Sequence, residues 1–321
     1  MILRGFINID KPRGITSFDV VKRIRRAAHV RRVGHAGTLD PNATGVLPVA
    51  LGEATRFVDE LVAARKRYRG VIVLGVATDT YDVDGAVTAE HDASAVTAAA
   101  VSAALARFEG PIAQVPPAYS AVKRGGEPAY RAARRGEPHE LAAREVIVHA
   151  LTIVTIEDAG TPRPRVTVDI ECGKGFYVRS LAHDLGVALG VGGQLDELAR
   201  TAVGPFALAD ATPLALAERL LAAGRWDTLV QAPDAVLVDR PAILLGRVQA
   251  AAVRQGRDIV AMPAPSFRPR ARIDSVRAYD PDGEMIAVMT PGATVGAWHP
   301  HRVLPRAADA STIDTESHSR T

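Results

Sequence analysis

Strand-like and helix-like segments alternate irregularly along this 321-residue chain, and no βαβ unit repeats. That pattern argues against a doubly wound fold and for an α+β fold on a mixed, largely antiparallel sheet. Residues 5–10 read as a short strand, and Thr16 or Ser17 can cap a helix running to Ala28. Helical spacing turns Phe18, Val21, Ile24 and Ala28 inward and Lys22, Arg23, Arg25 and Arg26 outward. Further strands are expected over 46–51, 68–76, 146–156 and 166–172, and helices over 53–64, 93–108, 177–189 and 213–223.

Val115-Pro116-Pro117 blocks regular structure and opens a flexible excursion, and residues 123–145 are charged, glycine-bearing and poor in apolar side chains. A change of composition over 232–240 suggests a boundary. Beyond it, 241–254 and 274–288, with a turn at Asp280-Pro281-Asp282-Gly283, look like a compact β-rich module. The polar tail from Arg306 reads as disordered.

The length supports about two domains, and an apolar content of 47% supplies a core. No run approaches the roughly 20 apolar residues of a membrane span, and the first residues lack a signal-peptide core, so a soluble cytoplasmic protein is expected. Cys172, the only cysteine, cannot form an intramolecular disulfide and reads as a core thiol, and there is no thiolate zinc site. A net charge of +3 does not by itself suggest nucleic acid, but its distribution does. Nine basic residues against two acids precede Ala36, a second cluster (Arg65, Lys66, Arg67, Arg69) surrounds Tyr68, and Lys123, Arg124, Arg131, Arg134 and Arg135 form a third. Clusters of this kind suit a surface that tracks phosphates, although each can also be a solvated face.

The segment Gly34-His35-Ala36-Gly37-Thr38-Leu39-Asp40-Pro41-Asn42-Ala43-Thr44-Gly45-Val46-Leu47 fixes one carboxylate in a loop built for close approach. Its glycines permit backbone conformations that a Cβ forbids, and Pro41 restricts Asp40 to extended or turn geometry. A plain Asp-Pro turn is the competing reading of the dipeptide. Two other segments invite familiar motifs and fail them. The acids of residues 78–85 lack the terminal glutamate of a calcium loop, and Gly173-Lys174-Gly175 lacks the length and the Lys-Ser/Thr ending of a phosphate loop.

The Gly34–Leu47 string resembles the catalytic motif of the TruB family, the bacterial tRNA pseudouridine-55 synthases. Further matches follow in the family's order: Gly5 to Pro12, Lys66-Arg67-Tyr68-Arg69, Gly173 to Leu181, and Leu198 to Phe206, where Ala199 stands in place of the usual arginine. The resemblance implies uridine-to-pseudouridine isomerisation at position 55 in the tRNA T-loop, by base flipping and without metal, ATP or another cofactor. It implies Asp40 as nucleophile, Arg179 as its charge partner, and Tyr68 as the ring that stacks on the extruded base and relays a proton from C5. It places His35 in the space the base vacates, Tyr177 and Leu198 around the uracil, Lys11 among the substrate-binding residues, and Asp82 as an anchor for the arginine or an ordinary turn carboxylate. It also implies a catalytic domain over 1–232 with an RNA-clamping thumb at about 116–145, a PUA-like RNA-binding domain over 233–305 and a disordered tail over 306–321. The expected partner is the tRNA T-stem-loop, bound by a monomer with no obligate protein partner and no membrane. Two rivals stay open: an RNA-binding or RNA-folding protein without catalysis, and the guide-RNA-dependent branch of the same superfamily.

Overall fold

The computed structural model describes residues 3–120, 122–137, 141–261 and 274–305. Its main sheet runs in the order Thr212–Pro213, Gly5–Lys11, Thr44–Leu51, Gly193–Val203, Lys66–Leu74, Arg165–Cys172, Arg144–Glu157, Gly110–Gln114, with Val33–His35 and Phe206–Ala207 pairing off this path. Neighbours are antiparallel except at two places, where Thr212–Pro213 joins Gly5–Lys11 and where Gly193–Val203 joins Thr44–Leu51. The architecture is therefore α+β with a mixed sheet, as the irregular alternation implied.

The first helix, Ser17–Ala28, starts at a reciprocal cap: the Asp19 N–H donates to Thr16 Oγ1 at 3.0 Å, and the Thr16 N–H donates to Asp19 Oδ2 at 3.2 Å. Val20, Val21, Ile24 and Ala28 face the core, but Phe18 does not and is 54% exposed beside the Lys22 ammonium. Ser17 occupies the inward position of that first turn, exchanging hydrogen bonds between its hydroxyl and the backbone of Leu39. A polar anchor for the Asp40 loop has displaced an aromatic ring from the core face.

Several boundaries differ from expectation for visible reasons. Residues 53–64 form a 3-10 turn, Gly52–Phe57, followed by the short helix Val58–Ala63. The strand expected over 68–76 is Lys66–Leu74, and Gly75 turns the chain before the Val76–Thr78 and Val87–Glu90 hairpin. The helix expected over 93–108 is confined to Ala98–Leu105 and a closing 3-10 turn. Gly110–Gln114 is an edge strand, where Pro111 is tolerated, and it ends just before Val115-Pro116-Pro117, where the excursion was expected to open. Within it lie a hairpin of Lys123–Arg124 with Glu127–Pro128 and the helix Ala129–Arg134; residues 121 and 138–140 lie outside the described residues. Gly193–Val203 was not expected as a strand at all, yet it lies at the centre of the sheet.

Alternation along the strands separates the cores. Ile7 and Ile9 pack with the helices Ser17–Ala28 and Leu214–Ala222, whereas Phe6 and Val46 point the other way. A second cluster gathers the helices Val178–Ala188 and Ala98–Leu105 over Lys66–Leu74 and Arg165–Cys172, and buries Cys172 as an inert thiol. Tyr68 and Leu198 touch both clusters and therefore sit on the seam between them.

A second sheet follows, ordered Ala242–Leu244, Val276–Tyr279, Met285–Pro291, Ala297–Val303, Ile259–Val260. Residues 247–254, expected within a β-rich stretch, are helical (Arg247–Arg254), started by a Gln249 side chain that accepts the Gly246 N–H. Met285, Val288 and Leu304 share a core with Phe6, Phe57 and Phe206, and Arg240 pairs with Glu60 at 2.6 Å, so the two sheets are packed together. The tail over 306–321 lies outside the described residues. No described helix is long and apolar enough to cross a membrane.

Candidate active site

One row of backbone partners crosses the sheet and organises the site: Lys11 opposite Gly45, Gly45 beside Arg200, Arg200 opposite Tyr68, Tyr68 opposite Ile170. The loop bearing Asp40 leaves this row before Gly45 and arches over it. Gly45 has φ +95°, and a Cβ there would stand 2.3 Å from the Arg200 carbonyl oxygen, so glycine is required for the two strands to meet. Asp40 projects from the arch with its side chain 45% exposed.

Arg179 comes from the first turn of Val178–Ala188. Its side chain is only 7% exposed and its Nε lies 3.0 Å from Asp40 Oδ2 and 3.7 Å from Asp82 Oδ2. The remaining nitrogens donate to backbone carbonyls, Nη1 to Thr80 at 3.2 Å and Nη2 to Tyr119 at 2.9 Å. The fork is thus held from three directions, and one edge is left for the exposed carboxylate. Burial raises the Asp82 carboxyl above the ordinary value, opposed by the Thr80 hydroxyl at 2.5 Å and by Arg179. The neighbouring Asp84 reaches across to the Asn42 amide, which ties the polar turn to the Asp40 loop.

Tyr68 is partly buried beside Arg200. Burial raises its hydroxyl's proton affinity, and the Arg200 guanidinium is the largest influence in the other direction. Tyr177 precedes the Arg179 helix, its backbone N–H and C=O both held by the buried Gln114 amide at 2.8 and 3.1 Å. Leu198 lies on the seam, and the Thr44 hydroxyl meets its carbonyl at 3.5 Å. His35 is half-buried, with an Nδ1 that has no hydrogen-bond partner among the described residues. Burial, then the Arg200 charge, lower its pKa, which favours a neutral imidazole.

Arg179 contacts both Asp40 and Asp82. Tyr68 and Tyr177 lie within reach of the Asp40 charge, whereas His35 neighbours Gly37 and Arg200 and Leu198 neighbours Thr44. Lys11 departs from its expected role. It is 0% exposed, and its ammonium is spent on the carbonyls of Pro12 (3.0 Å), Ile15 (2.7 Å) and Pro41 (3.0 Å). It fastens the residue after Asp40 and presents nothing to a substrate. Burial pulls its pKa down to about 8, with Asp40 opposing and Arg200 assisting.

Two residues missed by sequence reasoning complete the site. Arg200 was visible only as a motif member, and Gln114 gave no signal beyond standing before the prolines. The basic clusters are partly neutralised: Arg65 and Arg67 share Glu171, Arg69 pairs with Asp169, and Arg23 pairs with Glu218. Among the described residues no group of three or more His, Cys, Asp or Glu side chains gathers as a metal site.

The family description "TruB family pseudouridylate synthase (N terminal domain)" matches residues 25–178, and "tRNA pseudouridylate synthase B C-terminal domain" matches 179–237. A tRNA pseudouridine synthase B from Symbiobacterium thermophilum is 48% identical over 252 residues, 78% of this chain and 82% of that protein. One from Arthrobacter sp. is 43% identical over 292 residues, covering 90% and 93%. Among solved structures, a chain from an H/ACA RNP bound to a substrate RNA containing 2′-deoxyuridine superposes with a TM-score of 0.69 at 26% identity, covering 94% of this chain and 86% of that one. On these matches the chain belongs to the TruB family of pseudouridylate synthases.

Proposed function

We propose that this chain isomerises uridine to pseudouridine in tRNA, at position 55 of the T-loop, with Asp40 as the nucleophile. The observation that carries the reading is the Asp40–Arg179 pair: a half-exposed carboxylate held at 3.0 Å by a buried arginine whose other nitrogens are already bound to backbone. A carboxylate paired with a guanidinium at an open mouth can attack the sugar or the base of a nucleotide brought to it. The reaction breaks the bond from N1 to the sugar, turns the uracil within the pocket, joins C5 to the same sugar carbon, and balances the proton lost from C5 with one taken up at N1. Atoms are conserved, and neither oxidant nor water is consumed.

Tyr68 supplies a ring for the base and a hydroxyl for the C5 proton; burial raises the proton affinity of that hydroxyl, and Arg200 beside it opposes the rise. Asp82 steadies Arg179, and His35, Tyr177 and Leu198 surround the space for an extruded base. Extrusion from the T-loop costs a few kcal/mol, recovered by stacking and by contacts of the RNA with basic surface. The ten-stranded sheet takes its strands from Gly5 to Pro213, which supports reading 1–232 as the catalytic domain with its thumb at about 116–145. The five-stranded sheet spans Ala242 to Val303, which supports reading 233–305 as a PUA-like RNA-binding domain. The chain acts alone as a cytoplasmic monomer on tRNA, the substrate that its relatives' names give.

Asp40→Asn tests the nucleophile: pseudouridine formation on unmodified tRNA should vanish while tRNA binding persists. Retained turnover removes the assignment. Modification of a T-arm minihelix by the purified chain tests the target and the independence together, and a requirement for a guide RNA or partner proteins defeats the stand-alone reading.

A further inference from the structure

Arg200 is 1% exposed, and among the described residues it makes no ion pair. Its guanidinium is instead distributed over the loop that carries Asp40. Nη2 donates to the Gly37 carbonyl at 3.0 Å and Nη1 approaches that of Thr38 at 3.5 Å, before Asp40; Nε donates to the Val46 carbonyl at 2.8 Å, after it. One planar group therefore bridges both limbs of the arch.

The loop is shaped to receive it. Gly37 has φ +87°, and a Cβ there would already lie 3.4 Å from Nη1, while Gly45 leaves no space against the Arg200 backbone. Burying a cation without a carboxylate is a poor route to stability, because carbonyl dipoles only partly replace the lost hydration. A fork that spans two strand-loop junctions fixes their separation, which an ammonium on a flexible stem cannot do. On the other side Lys11 binds Pro41, so Asp40 is suspended between two buried cations that never touch it.

We propose that Arg200 is a positioning residue for catalysis, whose fork sets the spacing of the two limbs of the Asp40 loop and so delivers the Asp40 carboxylate to Arg179 and the incoming nucleotide. This rests on the isomerase reading above. It assigns to the fork's geometry a share of the rate that neither charge nor volume alone supplies.

The informative variant is Arg200→Lys, which keeps a buried cation of similar length, with Arg200→Met as its uncharged counterpart. Single-turnover pseudouridine formation at saturating unmodified tRNA, tRNA affinity and thermal unfolding are measured for each beside wild type. The expected result is a rate loss of about 100-fold for Arg200→Lys, the scale of a small misplacement of a reacting group, and a larger one for Arg200→Met, which also removes the charge beside Tyr68. Both variants melt lower than wild type because buried carbonyls lose their donors, but stay folded at the assay temperature with tRNA affinity preserved. A wild-type rate in folded Arg200→Lys overturns the proposal by showing that charge suffices. Parallel loss of affinity and rate overturns it in favour of a binding role, and unfolding of both variants overturns it in favour of a purely structural one. If wild type itself fails to modify tRNA, the isomerase reading fails first, and the two failures are distinguishable.

Discussion

Gly45→Ala is the sharpest test of how the site is assembled, because its effect can be worked from one contact. The new Cβ would lie 2.3 Å from the Arg200 carbonyl oxygen and 3.0 Å from the Arg200 nitrogen, both backbone atoms that cannot rotate away. An ordinary carbon–oxygen approach is about 3.3 Å, so the strands Thr44–Leu51 and Gly193–Val203 must part locally by roughly 1 Å. Holding alanine at φ +95° adds about 1–3 kcal/mol of backbone strain. Loosening one or two ladder hydrogen bonds adds about 1 kcal/mol each, for a total near 2–5 kcal/mol. At about 2–4 °C per kcal/mol for a domain of this size, the unfolding temperature should fall by roughly 10 °C. Circular dichroism melts of wild type and Gly45→Ala measure the shift, and single-turnover assays well below the melt measure what remains of the rate. The rate should fall too, since the same displacement pulls the Arg200 fork away from the loop. An unfolding temperature within about 2 °C of wild type would refute the reasoning, because it would mean the row from Lys11 to Tyr68 is not closely packed.

The Lys11 ammonium predicts opposite movements of rate and stability with pH. In the fold it loses its proton near pH 8, whereas in the unfolded chain it holds the proton to its ordinary 10.5, so between those values the unfolded state binds more protons and the penalty of burying the charge is progressively relieved. A neutral amine has two N–H groups for three carbonyls, so the loop slackens and the single-turnover rate should decline through pH 8 while Lys11's own contribution to stability improves. A pH–rate profile of wild type against Lys11→Met checks this, and an alkaline limb unchanged in the variant would assign it elsewhere. Gln114→Leu should destabilise by about 2 kcal/mol by leaving both polar atoms of the Tyr177 backbone unpaired, and should lower the single-turnover rate more than tRNA affinity. Chemical denaturation and filter binding would show it, and a stable, fully active variant would dismiss the amide clamp.

What the sequence disclosed and what it concealed divide along physical lines. The Asp40 loop was legible because glycines and a proline at fixed spacing leave few backbone options, and the first helix because Thr16 and Asp19 form a local cap. The strand Gly193–Val203 was not, because two register shifts interrupt its alternation and polar side chains occupy its middle. Arg200 reads locally as one more arginine in a chain full of them; only the long-range register that sets it beside Gly45 shows it turned inward. Phe18 is apolar yet exposed, because the core-facing place of that turn holds a serine bonded to Leu39. In each failure the deciding partner lies far along the chain.

The parallel seam between Thr44–Leu51 and Gly193–Val203 also sets an order in time. Asp40 and the loop around it emerge early in synthesis, but the side chain that bridges their two limbs belongs to Arg200, and its strand must enter between two strands already made. Until then Lys66–Leu74 and the start of Thr44–Leu51 present open edges, and the loop is shaped by the Lys11, Gly14 and Ser17 anchors without the fork that bridges its limbs. Such a non-local closure is slow relative to local pairing, so a nascent chain carries its acidic residue for most of translation without a site around it. The arch around Asp40 is complete only when the last of its bridging strands is in place.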